Sequence, residues 1–276
     1  MKNLIDVTVA MPLWNMEPIS WLQLESLCRQ QTGYSWELIV CEEQLENFTG
    51  KQNIISYRDR LRQAGCKSIK YIPLTVREPL SKKWAKIAKQ AQGKTFILAA
   101  GDNYSPPNRV ELAHQIMTAG DYDWFDVQKG IFLNINDFSM ATYDHIAYND
   151  WNFHSTALFM GVRTSILKPI VELLDRSDCV YTWPRSGVDG WMRKWVKPRK
   201  HKTYRHQHEL LGIHTDGANQ ISGVITEISR VSRYSNKTYK KPFRKPTQKL
   251  EDILPDNIHE RLKDVMFNRI LYKIDE

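Results

Sequence analysis

From Asp6 to Thr118 the chain alternates short apolar runs with longer amphipathic stretches, and no other feature narrows the available folds as much. Asp6–Met11 (DVTVAM) reads as a buried strand that Pro12 stops. EPISWLQLESLCRQ reads as a helix, with Pro18 near its first turn and Ile19, Leu22 and Leu27 on one side. Glu37–Cys41 (ELIVC) is a second strand, followed at once by Glu42 and Glu43, and Ser68–Pro73 (SIKYIP) is a third. Glu78–Ala91 predicts a helix with Leu80, Trp84, Ile87, Ala88 and Ala91 on one face and Lys82, Lys86 and Lys89 on the other, ended by Gly93. Phe96–Ala100 is the next strand and Pro107–Thr118 the next helix. Such an order predicts an α/β fold with a mostly parallel sheet flanked by helices. Ligands of these sheets bind outside the carboxyl ends of the strands, so Glu42, Glu43 and Asp102 are expected at one crevice.

Beyond Asp121 the texture changes to aromatic and short polar runs. Ala157–Val162 reads as a strand and Ser165–Leu174 as a helix, while Val188–Val196 (VDGWMRKWV) suggests a short helix. Ser229–Lys249 contains no acid and reads as an extended basic arm, and Asn257–Ile274 as a closing helix. The expected division is a domain over residues 1–228, with halves at 1–118 and 119–228, followed by the arm and closing helix over 229–276.

Charge is unevenly spread. The formal net charge is +8, yet Gly190–Leu250 alone carries 15 Lys or Arg against three acids. The rest of the chain is slightly acidic, so an anionic partner is expected at the C-terminal part. Four scattered cysteines without a CxxC pair suggest buried reduced thiols and a cytoplasmic setting. No apolar stretch approaches a membrane span, and MKNLIDVTVAMPLW does not read as a signal peptide. His206-Gln-His208 has no cysteine at ligand spacing, which argues against structural zinc.

The usual phosphate-binding glycine loops GxGxxG and GxxxxGK[ST] are missing, as is a GxSxG elbow. Instead VTVAMPLWN, WELIVCEEQ, KKWAKIAKQAQGKTFILAAGDNYSPP and SGVDGWMRKW together resemble nucleotide-sugar glycosyltransferases of the GT-A fold, nearest the family-2 type. The resemblance covers residues 5–118 and, more loosely, 155–215. It implies a Rossmann-like mostly parallel sheet with a basic C-terminal extension. It also implies a nucleotide-sugar donor, a UDP-sugar above all, and a divalent cation, Mn2+ or Mg2+.

By the same resemblance Pro12 and Trp14 belong to a Pro-x-x-Asn turn on the donor side, and Glu42 and Glu43 hold the base. Lys83 reaches toward phosphate. Asp102, with Asn103 beside it, is what remains of a metal-binding Asp-x-Asp motif, since Ala100 stands at the first position. His214 completes the metal site, and Asp189, near Trp191 and Arg193, is the catalytic base. Direct displacement with such a base inverts the anomeric centre.

Each residue also has a plainer reading. Asp102 and Asn103 are ordinary turn formers, Asp189 is a helix cap, and His214 a loop histidine. In the arm, Arg230, Arg233, Tyr234, Lys240, Lys241, Arg244 and Lys245 interleave cations with aromatic groups, as a nucleic-acid-binding segment would, or form a solvated tail. No amphipathic apolar face supports membrane docking there. The expected acceptor is therefore a hydroxyl on a modified base in DNA. A cell-surface glycan or lipid-linked acceptor, and a non-catalytic GT-A-like protein that binds a nucleotide or nucleic acid, remain the alternatives. No obligate protein partner is implied.

Overall fold

The computed structural model describes residues 4–13, 19–43, 50–76, 78–127, 129–135, 138–144, 160–175, 201–206, 213–216, 243–244 and 249–264. Eleven strands, five α-helices and a further helical stretch at residues 256–264 fall within them. The first half runs β1 (Val7–Leu13), α1 (Ser20–Leu27), β2 (Trp36–Glu43), α2 (Gly50–Gln63), β3 (Cys66–Leu74), α3 (Leu80–Gln90), β4 (Thr95–Leu98) and α4 (Arg109–Ala119). The second half contributes β5 (Trp124–Val127), β6 (Lys129–Asn134), β7 (Met140–Asp144), β8 (Met160–Arg163), α5 (Thr164–Asp175), β9 (Thr203–His206), β10 (Ile213–Asp216) and β11 (Phe243–Arg244).

A seven-stranded sheet has the order β3-β2-β1-β4-β8-β5-β9. β3, β2, β1 and β4 are mutually parallel, and β8 alone runs against its neighbours β4 and β5. Every residue of β1 and β2 is buried, as strands covered on both faces require. β3, at the sheet edge, is only partly buried and carries Lys67 and Lys70.

Strand alternation sends Val7, Val9, Met11, Leu38 and Val40 to one face, where α1, α2 and α4 cover them. Ala10, Ile39, Cys41, Phe96 and Leu98 point to the other, against α3 and α5. A smaller sheet, β10-β6-β7-β11, meets the turn after β4 through a bridge between Tyr104 and Ile213.

Several expectations change. Pro12 does not stop β1 but lies within it, paired in register with Cys41. β4 pairs only with Val7–Ala10, and the carbonyl of Ala10 accepts from the Ala99 amide. Two residues on, Pro12 faces the same side of β1, past the end of β4, where no strand requires its missing N–H. Glu42 and Glu43 are the last residues of β2, not the loop after it. Leu80, expected on the buried face of α3, is 42% exposed at the first residue of the helix, where the turn before it no longer covers the side chain. The β4 strand is shorter than expected, ending at Leu98. β5, β6, β7, β9 and β10 lie in the region that showed no clear pattern. Phe243–Arg244 of the arm forms β11, antiparallel to β7.

The C-terminal segment packs on the main core. Residues 256–264 are helical, and Leu254, Ile258 and Leu262 are buried in the cluster that contains α1 and α2. The Arg261 guanidinium lies 4.1 Å from the centre of the Trp21 ring and donates to the Tyr57 hydroxyl at 3.2 Å.

Candidate active site

The chain moves outward from β1 to β2 to β3, then returns past β1 to place β4 on its other side. That reversal opens a crevice between the carboxyl ends of β1 and β4, where ligands of such sheets bind. Glu42 and Glu43 end the adjacent strand, and Ala99–Asn103 emerge from β4.

The two glutamates are neighbours in sequence but not in space. Alternation sends Glu42 to the face of Val40, where its Oε2 accepts from the Tyr71 hydroxyl at 2.8 Å. Glu43 turns to the face of α3. Its Oε1 accepts from the Glu78 amide at 2.8 Å and meets Lys83 Nζ at 3.0 Å. Lys83 Nζ also donates to the Leu13 carbonyl at 2.7 Å, so one ammonium ties α3 to the carboxyl ends of both β1 and β2. Glu43 and Lys83 are 2% and 3% exposed. Burial pushes the Lys83 ammonium below the usual lysine range, against the opposing pull of Glu43.

After β4 the chain turns at Ala100–Asn103, closed by a hydrogen bond from the Asn103 amide to the Ala100 carbonyl at 3.1 Å. Asp102 is only 3% exposed, and Asn103, Tyr104 and Ser105 are buried with it. A loop buried to this extent must have its backbone satisfied from outside. β10 supplies one side: Tyr104 and Ile213 exchange both backbone hydrogen bonds, at 3.0 and 2.9 Å. α1 supplies the other. The Ser105 amide donates to Ser26 Oγ at 3.1 Å and Gln23 Nε2 donates to Ser105 Oγ at 2.9 Å. Gln30, just past the end of α1, donates to the Pro106 carbonyl at 2.8 Å and accepts from the Val110 amide at 3.0 Å. Beneath the turn, Arg109 is fully buried and donates to the carbonyl of Leu98, the last residue of β4. Burial pushes its guanidinium down to about 9, which leaves it cationic at neutral pH.

The Tyr104–Ile213 bridge also places the backbone of His214 beside the Asp102 turn. Asp102 and His214, far apart in the chain, are thus brought to one place at the level of the backbone. Among the described residues no group of three or more His, Cys, Asp and Glu could hold a metal ion. The donor set at hand is hard oxygen, a buried carboxylate with an amide beside it. It fits an Mg2+ or Mn2+ ion that takes its other ligands from water and bound phosphates, not from a protein cage.

Trp14, Asp189, Arg193, Arg230, Arg233, Tyr234, Lys240, Lys241 and Lys245 lie outside the described residues. Of Arg244 the backbone is placed, in β11. His206 ends β9 and is buried. Gln23, Ser26, Gln30, Ser105 and Arg109 belong to no motif of the sequence. Polar residues at buried positions of an otherwise apolar helix face, as Gln23 and Ser26 are on α1, were the available signal.

No family model and no curated protein matches the chain. Solved structures do. TarS 1-349 of S. aureus in complex with UDP-GlcNAc superposes with a TM-score of 0.56 at 16% identity, over 82% of this chain and 65% of that one. The fold is that of the GT-A glycosyltransferases. Mannosyltransferase PcManGT from Pyrobaculum calidifontis, in complex with GDP-Man and Mn2+, aligns with a TM-score of 0.55 at 14% identity, over 83% of this chain and 62% of that one. The chain spans 37% of a longer TarS chain, at 16% identity and a TM-score of 0.54. No described helix is long and apolar enough to cross a membrane.

Proposed function

We propose that this chain transfers a sugar from a nucleoside diphosphate sugar to an acceptor hydroxyl. One observation carries the reading: on a GT-A fold, the Asp102 carboxylate stands buried at the carboxyl end of β4, at the point where the strand order reverses. The fold's solved neighbours hold UDP-GlcNAc in one case and GDP-Man with Mn2+ in another.

In this reading Asp102 and His214 hold a divalent cation, with Asn103 beside them. The cation, when bound, neutralises charge on the departing diphosphate. Pro12, Trp14, Glu42, Glu43 and Lys83 shape the donor side, for which a UDP-sugar is the expected occupant. Asp189 takes the proton from the acceptor hydroxyl as its oxygen bonds to the anomeric carbon and the bond to the diphosphate oxygen breaks. Attack opposite the leaving group inverts that carbon. Arg193 and the arm residues Arg230, Arg233, Tyr234, Lys240, Lys241, Arg244 and Lys245 receive an anionic acceptor, DNA bearing a hydroxymethylated base.

The test is a melting-temperature panel of UDP, GDP and their sugars, each with and without Mn2+. A ligand that binds only the folded state raises the melting temperature by mass action. The expected result is a metal-dependent rise that Asp102→Asn abolishes, together with metal-dependent release of UDP or GDP from its sugar. Binding without turnover on any donor would favour a nucleotide-binding protein. Turnover without DNA dependence would move the acceptor to a glycan.

A further inference from the structure

We infer that Gln23 and Ser26, on α1, are positioning residues for the Asp102 turn, a role that rests on the donor-site reading above. Their hydrogen bonds form a closed relay. Ser26 Oγ accepts from the Ser105 amide at 3.1 Å and from Gln23 Nε2 at 3.2 Å, and donates to the Gln23 carbonyl at 2.8 Å. Gln23 Nε2 reaches Ser105 Oγ at 2.9 Å. Ser105 stands three residues beyond Asp102 in a turn that is buried throughout. β10 pins Tyr104 from the opposite side, so the Asp102 backbone is fixed between a helix and a strand that belong to different halves of the fold.

Stability alone does not explain the glutamine. Its side chain is 0% exposed, and its Oε1 has no hydrogen-bond partner among the described residues. A buried acceptor left unmet is unfavourable, and methionine would fill similar volume without one. What only the amide supplies is a donor that fixes the Ser105 hydroxyl and, through it, the turn. α1 is also the helix that follows β1, the opposite wall of the crevice. The relay therefore holds the carboxylate on the β4 side in register with the wall on the β1 side. Loss of an outer partner that bonds a metal ligand directly weakens metal binding by about 10–100-fold, and a turn that shifts beneath Asp102 moves the ligand itself.

The experiment compares the full chain with its Gln23→Met, Ser105→Ala and Ser105→Thr variants by calorimetric titration. MnCl2 is titrated into protein saturated with UDP, and in parallel with GDP; UDP is then titrated without metal. The expected result is Mn2+ affinity about 10–100-fold weaker in Q23M and S105A, metal-free UDP affinity unchanged, and affinity restored in S105T, which keeps the hydroxyl. Folded Q23M and S105A proteins with the parental Mn2+ affinity would overturn the inference while leaving the donor site intact. If Q23M does not fold, S105A against S105T decides in the same way. No Mn2+ uptake by the parental protein with either nucleotide would remove the donor-site reading, and this inference with it.

Discussion

Lys83→Met keeps the aliphatic stem of the side chain and deletes the ammonium that joins three elements. The parental contacts are 3.0 Å to Glu43 and 2.7 Å to the Leu13 carbonyl. Glu43 cannot swing into water, since it is 2% exposed and the Glu78 amide holds the same oxygen. The variant therefore strands a carboxylate in the interior, which costs about 3–5 kcal/mol when a buried pair is broken from one side. At roughly 2–4 °C per kcal/mol for a domain of this size, the melting temperature falls by about 6–20 °C. Neutralising the partner as well removes the stranded charge, so K83M/E43Q should recover most of the loss. Urea unfolding of the four proteins at neutral pH measures the cycle. A K83M protein within about 1 kcal/mol of the parent, the range of an exposed pair, would refute the reasoning. A double variant no more stable than K83M would do the same.

Further expectations concern the scaffold. Bonds from Arg60, with Arg29 assisting, hold the Glu25 carboxyl below the usual carboxylate range. Its contribution to stability is therefore present above the unfolded value of about 4.3 and is lost as pH falls through the folded one, so Glu25→Gln should flatten the acid limb of a stability-against-pH curve. Gly93→Ala would set a Cβ 2.3 Å from the Thr8 nitrogen and 2.5 Å from the Val7 carbonyl carbon. Backbone cannot yield as a side-chain tip does, so a loss of about 1–3 kcal/mol or more is expected in thermal melts. Leu262→Ala should cost about 2–5 kcal/mol, because the residue lies in the main core and not on a detachable tail.

The parallel half was legible because its signals are local. Each βαβ unit announces itself within a few dozen residues, by an apolar strand and a helix of matching period. The Glu78–Ala91 face shows this: Trp84, Ala85, Ile87 and Ala88 are buried together on α3, and only the first residue of the expected face escapes. The second half was not legible in the same way. β5 lies between β8 and β9 in the large sheet, while β10 lies beside β6 in the small one. Those pairings join runs of about four residues, too short to show a period and too distant in the chain to show a hairpin. Pro12 misled for a related reason: a proline breaks a strand only where a neighbour requires its N–H, and one sequence does not say where the neighbour ends.

The same distinction runs through the site. Asp102 was visible as an acid after a buried strand, and the pair Glu42-Glu43 as two acids after another. Adjacency in sequence suggested that the glutamates act together, but a strand that continues to Glu43 separates them to opposite faces. Glu43 then pairs with Lys83 on the α3 side, and Glu42 with Tyr71 on the other. Conversely, the residues that fix Asp102 were invisible as a group, because they come from α1, the turn itself and β10. The Tyr104–Ile213 bridge is one place where the legible half of the chain meets the other, beside the β4–β8 pairing. A carboxylate placed at that seam has its position set by both halves at once, so substitutions in α1 or β10 that never touch a ligand should still change what Asp102 can hold.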